Sequence, residues 1–170
     1  MPRQPSPNQG LPPPSATTAA AMRSESPGVS QTQSYHATGS VKAGGEGWLT
    51  AHGLATAFDG TAGRLDDLPG PADVLCAALS ACLLKNVERF SHLLPFRYES
   101  ASVEVIAERE EPPPRIVRMR YRLRVVTEEP PDHVDLLHRN IRKFGTISNT
   151  LAAACELTGE IEAIAPGAAP

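Results

Sequence analysis

Residues 71–94, PADVLCAALSACLLKNVERFSHLL, decide the fold. Pro71 suits the first turn of a helix, where its missing N–H costs nothing. Asp73 places a negative charge in that first turn, favourable for the helix dipole. From Val74 to Leu84 nearly every residue is apolar or small. A surface helix of this length shows a polar face. This one has none, so its first three turns are expected to be enclosed on all sides. Beyond Leu84 the segment turns amphipathic, with Val87, Phe90 and Leu94 along one face and Lys85, Glu88 and Arg89 elsewhere.

Working outward, SYHATGSVKAGGEGWLTAHGLATAFDG precedes the helix. Its short runs of Tyr, Val, Trp and Thr between glycines predict two or three antiparallel strands between Ser34 and Phe58. Trp48 is expected to pack on a strand face. A Gly- and Asp-rich loop, GTAGRLDDLPGP, leads into Pro71. After the helix, Tyr98–Glu110 alternates, with Val103, Val105 and Ala107 on one face and Glu104 and Glu108 on the other. Arg115–Val126 alternates more strictly. Val117, Met119, Tyr121, Leu123 and Val125 are expected inward, and Arg118, Arg120, Arg122 and Arg124 outward. The outward arginines can form a nucleic-acid stripe or a solvated row paired with Glu104 and Glu108, and the second is favoured. Asp132 is expected to cap a helix carrying Val134, Leu136, Leu137 and Ile141. Phe144-Gly145 breaks it, and a short helix from Thr146 or Ser148 runs to a stop at Gly159. Glu160–Ile164 is read as a short last strand. This order predicts an α+β fold with mainly antiparallel sheet around a buried central helix. Such a helix needs more cover than one small sheet gives, so an obligate homodimer is expected.

The whole chain bounds the function. It has 170 residues, 41% of them hydrophobic, and a net charge of −3. That is one domain with a real core and no global basic field for nucleic acid. Residues 1–32 form a Pro/Ser/Ala-rich tail, with seven prolines in the first thirty, expected to be disordered. If translation starts at Met22 rather than Met1, most of that tail is absent. The domain is expected over 33–165, with 166–170 fraying. The start lacks an apolar secretory core and no stretch reaches the roughly 18 apolar residues of a membrane span, so a cytoplasmic protein is expected. Three cysteines, Cys76, Cys82 and Cys155, show neither CxxC nor Cys/His zinc spacing. No metal or bound cofactor is expected, and each cysteine taken alone reads as a small buried hydrophobe.

Pro71 to Cys82 resembles the central-helix signature of the OsmC/Ohr family: a proline, an acidic residue two positions on, an Ala-rich apolar stretch, and a cysteine. Ile147-Ser148-Asn149-Thr150-Leu151 is similar to the run after the family's second signature. The resemblance spans about Ser34 to Ile164. It implies an OsmC-like fold, an intertwined homodimer with two interface sites, and reduction of organic or hydrogen peroxide through paired cysteines. It puts Cys82 on the peroxidatic cysteine and Asp73 on the acidic residue that orients an arginine. Arg64 is the only arginine in the preceding loop. At the resolving-cysteine position stands Gly145, and Thr146 takes the following proline's place. The implied cycle is then either a one-cysteine cycle with an external thiol reductant or one in which Cys155 or Cys76 captures the oxidised sulfur.

Attack on a peroxide needs a thiolate, and a free cysteine has a pKa of about 8.5. Cys82 lies about three turns inside the helix, where the dipole helps little, so a cation is expected nearby. Lys85 at i+3 and Arg64 are the candidates. Cys76 and Cys82 are about 240° apart around the helix and cannot bridge. Cys155 is expected on the last helix as a buried Ala-like residue, and His138 at the surface. Asn149 either orients backbone near Cys82 or caps a helix. The alternative to a peroxide reductase is a non-catalytic dimer of this fold that binds a small apolar ligand or a protein partner.

Overall fold

The computed structural model describes residues 32–63 and 67–167. The expected disordered tail, the last frayed residues and Arg64 lie essentially outside them. Three strands come first: β1 (Thr38–Val41), β2 (Glu46–Ala51) and β3 (Leu54–Asp59). They form an antiparallel meander. His52 and Gly53 turn between β2 and β3, both at positive φ (49° and 78°), as a two-residue hairpin requires. Helix α1 (Pro71–Leu93) follows, then β4 (Ser100–Glu110) and β5 (Arg115–Val126). Helices α2 (Pro131–Phe144) and α3 (Thr146–Ala152) lead to β6 (Glu156–Ile164). The second sheet has the order β4-β5-β6. Residues from His36 onward make one compact unit. Before it, the Tyr35 hydroxyl donates to Gln33 Oε1 (3.0 Å).

The core is a sandwich of α1 and α2 on one face of that second sheet. Leu79, Leu83, Val87 and Phe90 of α1 meet Met119, Tyr121, Leu123 and Val125 of β5 and Val134, Leu137 and Ile141 of α2, all buried. The spacing of the α1 residues puts them on one stripe. The helix is not enclosed on all sides within one chain. Ala77 and Ala81 are exposed on the opposite side, and Pro71, Ala72 and Asp73 are exposed in the first turn. Their side chains are small, so the sequence reads as apolar where the fold leaves an open surface.

Four further expectations change. Asp132 does not cap α2, whose N-cap is Pro130; Asp132 sits in the first turn. The last strand begins at Glu156, and Gly159 lies inside it rather than ending a helix. It pairs parallel to β5, because two helices carry the chain back to the start of the sheet. Finally, the β4–β5 register shifts between Glu108 and Arg109, leaving Val117 without a cross-strand partner. The extra residue reverses the pleat, so Ile116 packs on the core in place of Val117.

On the outer face Arg118, Arg120, Arg122 and Arg124 of β5 each meet a carboxylate. Arg118 donates to Glu156 (2.9 Å) and Glu108 (2.7 Å), Arg120 to Glu108, Arg122 to Glu160 (2.5 Å) and Arg124 to Glu162 (3.3 Å). Glu108 of β4 pairs as expected and, among the described residues, Glu104 does not; the other partners lie on β6, because the parallel register sets Arg118, Arg122 and Arg124 opposite Glu156, Glu160 and Glu162. The row is a neutralised ladder, unlike a phosphate-binding stripe. Among the described residues no helix is long and apolar enough to cross a membrane.

Tyr121 and His138 join the sheet to α2. The tyrosine hydroxyl lies 2.8 Å from His138 Nε2, and the rings meet edge to face at 5.9 Å. His138 is thus half-buried, not at the surface as expected. Burial lowers its pKa, Arg142 lowers it further, and Asp135 works the other way. On β6, Gly159 makes room for the tyrosine: a Cβ there would stand 2.3 Å from the ring. Gly159→Ala is expected to cost about 1–3 kcal/mol through overpacking, read as a lower urea midpoint. The lowered His138 pKa also sets a pH dependence. The folded state resists protonation that the unfolded chain accepts from about pH 6.5 downward, so stability falls as pH drops below that value. In His138→Gln the loss of stability between about pH 7 and pH 5 should be smaller, by urea unfolding at both pH values.

Candidate functional site

Position 82 lies on the flank of the α1 stripe. Three residues of α-helix turn the chain by about 300°, so Cys82 stands about 60° round the helix from Leu79. It is therefore half-buried, neither sealed in the core nor facing open solvent. One turn on, Asn86 is buried. Its Nδ2 donates to the Cys82 carbonyl oxygen (2.9 Å) and lies 3.7 Å from Cys82 Sγ. The carbonyl contact fixes the amide's orientation, because only the NH₂ end can donate to it. The second N–H is left for the sulfur.

A hydroxyl approaches from α3. Ser148, 4% exposed, holds its Oγ 4.0 Å from Cys82 Sγ. Gly145, at the junction of α2 and α3, allows this. A Cβ on Gly145 would lie 2.8 Å from Ser148 Oγ, 3.1 Å from Ser148 Cβ and 3.2 Å from the Ile141 carbonyl oxygen. Asn149 tightens the same junction, donating from Nδ2 to the Lys143 carbonyl (3.1 Å), while its backbone N–H bonds Gly145 O (2.8 Å). Its role is to hold the α2–α3 corner.

Asp73 and Lys85 make no hydrogen bond to the Cys82 sulfur among the described residues. Asp73 is exposed at the start of α1, where its Oδ2 accepts from the Gly70 N–H (2.9 Å). Lys85 is exposed and has no hydrogen bond to Cys82 among the described residues. Arg64 lies outside the described residues. The groups described on the sulfur are thus neutral donors, where a cation was expected.

The three cysteines are free and differ in their surroundings. Cys76 lines a cavity of about 750 Å³ between Phe58 and Asp59 of β3, the first turn of α1 and the Val105–Arg109 end of β4. Burial raises its pKa, and the Asp73 charge one turn away raises it further. Cys155 lies in the turn after α3, not on a helix as expected, and its thiol donates to the Leu151 carbonyl (3.4 Å). Cys82 alone among them has side-chain donors aimed at its sulfur. Ser148 was missed by sequence reasoning. Its only signal was a small polar residue in the short run after Gly145, and its partner lies 66 positions away.

Comparisons with known proteins agree with this architecture. The family model described as OsmC-like protein matches residues 64–160. No curated protein matches the chain. Among solved structures, an OsmC-like protein from Mycoplasma pneumoniae superposes with a TM-score of 0.72 at 12% identity, covering 79% of this chain and 99% of that one. An organic hydroperoxide resistance protein OsmC from Legionella pneumophila, also titled a predicted redox protein, gives 0.64 at 13% identity, covering 77% and 99%. An organic hydroperoxide resistance protein from Elizabethkingia anophelis gives 0.63 at 14%, covering 78% and 100%. With more than half of its length matched by that model, and α1 with Cys82 inside the matched segment, the chain belongs to the OsmC-like protein family.

Proposed function

We propose that this protein is a one-cysteine, thiol-dependent reductase of organic or hydrogen peroxide, serving oxidative-stress defence, with Cys82 as nucleophile. The observation that carries this reading is the convergence of Asn86 Nδ2 and Ser148 Oγ on a half-buried Cys82 sulfur. The other two thiols are poorer candidates: Cys76 is held protonated by burial and Asp73, and Cys155 is engaged with a carbonyl. Structural relatives titled organic hydroperoxide resistance proteins support the substrate class.

The thiolate of Cys82 attacks one oxygen of the peroxide. The O–O bond breaks, the departing alkoxide or hydroxide takes up a proton, and Cys82 becomes a sulfenic acid. Gly145 brings no second thiol. An external thiol therefore condenses with the sulfenic acid, releasing water and leaving a mixed disulfide. A second external thiol then frees Cys82 and departs as the external disulfide. The sum is one peroxide and two thiols giving one alcohol (or water), one disulfide and one water. Free cysteines and a thiol reductant fit a reducing compartment such as the cytoplasm.

Pairing of two copies belongs to the same proposal. The exposed small-residue side of α1 at Ala77 and Ala81, beside the partly exposed Cys82, favours a second chain as cover. Light scattering on a sizing column should give about twice the chain mass of 18.1 kDa, and a monomer at micromolar concentration would overturn the pairing.

The enzymatic reading is tested by titrating reduced protein with cumene hydroperoxide and hydrogen peroxide, following each cysteine by mass spectrometry. Stoichiometric sulfenic acid at Cys82 is expected, faster than on free cysteine and reversed by added thiol. Cys82→Ser should abolish turnover, and Cys155→Ser should leave it intact. Oxidation of Cys82 no faster than free cysteine would sink the reading in favour of a non-catalytic binding domain.

A further inference from the structure

The α2–α3 corner is built so that position 145 stays empty and position 148 reaches the sulfur. A Cβ at Gly145 would occupy space that Ser148 Oγ and Cβ already fill, at 2.8 and 3.1 Å. The Gly145 φ of −78° is open to any residue, so the glycine is required by this close approach and not by backbone conformation. Ser148 is 4% exposed, and its side chain makes one hydrogen-bonding contact among the described residues, to Cys82 Sγ at 4.0 Å. Either atom of this contact can donate while the sulfur is a thiol, but a thiolate carries no proton, so towards it the hydroxyl is the donor. Asn86 is 7% exposed and is turned by the Cys82 carbonyl so that its remaining N–H faces the same sulfur at 3.7 Å. The two donors come from different elements, α1 and α3, and converge on one atom.

We propose that Ser148 and Asn86 form a neutral donor pair that stabilises the anionic Cys82 sulfur, with Gly145 kept side-chain-free to seat the Ser148 hydroxyl. A thiolate accepts both hydrogen bonds. A thiol accepts them only weakly, so the pair favours the anion. This deepens the peroxide-reductase reading, resting on Cys82 as the reactive thiol, but it concerns the acid–base behaviour of the sulfur and not the oxidant.

The test therefore uses iodoacetamide rather than peroxide. The rate of Cys82 alkylation is measured from pH 5 to 11 by peptide mass spectrometry on the full chain. Ser148→Ala should move the profile to higher pH by about half to one unit. The rate near pH 7 then falls about three- to tenfold, while the alkaline plateau, where the sulfur is already anionic, stays unchanged. Gly145→Ala keeps the hydroxyl but pushes it from its seat, and should move the profile the same way. Ser80→Ala, whose hydroxyl bonds the Cys76 carbonyl (2.9 Å), serves as a control with an unmoved profile. Thermal melts confirm that each variant is folded, and if Gly145→Ala is not, Ser148→Ala decides alone. An unmoved profile in folded Ser148→Ala overturns the donor pair. So does an equal fall at neutral pH and on the plateau, which reports lost access. A moved profile with no peroxide reduction would keep the donor pair and reject only the reductase.

Discussion

Everything in this domain is referred to the packing of one helical stripe, Leu79, Leu83, Val87 and Phe90, against β5 and α2. Leu79 and Val87 are fully buried and Leu83 nearly so. Truncating a leucine in such a place typically costs about 2–5 kcal/mol, so the rotation of α1 about its axis is firmly set. That rotation decides what Cys82 can be. A shift of one residue in the buried stripe would carry the sulfur into the core or out to solvent. As folded, it stands on the boundary, half-buried beside the buried Asn86 and Ser148.

The two faces of the second sheet do different work. The inner face anchors α1 and α2. The outer face carries the arginines of β5 between the glutamates of β4 and β6. These pairs are exposed, and each contributes little to stability. Their larger effect is on register and binding. A one-residue slip of β6 would separate Glu156, Glu160 and Glu162 from their arginines and set Gly159 away from Tyr121. The pairing also cancels the positive row that nucleic acid would need.

Much of this was legible in the sequence because it rests on local pattern. Pro71 and Asp73 mark the start of α1, and strict alternation marks β5 from Met119 to Val125. The family resemblance carried by the Pro71–Cys82 run extended that reading to the whole fold. What was not legible depends on contacts between distant residues. The bulge at Val117 follows from cross-strand register, which alternation alone cannot show. The parallel course of β6 follows from the helical crossover. His138 looked like a surface residue among Arg139 and Arg142, yet Tyr121 claims it from another strand. The enclosed look of the first turns of α1 came from alanines, which are as common on an open face as in a core. Ser148 is the sharpest case, since its contact with Cys82 spans 66 positions and follows from how α3 docks on α1.

Gly145 leaves open the space into which the Ser148 side chain reaches. Any side chain at 145 and the hydroxyl of Ser148 compete for one volume beside the Cys82 sulfur. A cation near the sulfur would favour the anion over long range and in any orientation, whereas two neutral donors act only along their bonds. The site therefore depends on the α2–α3 corner being in place, which links the Asn149 bonds to Lys143 and Gly145 with the behaviour of a thiol on another helix. On the proposed donor pair, the reactivity of Cys82 follows the geometry of that corner.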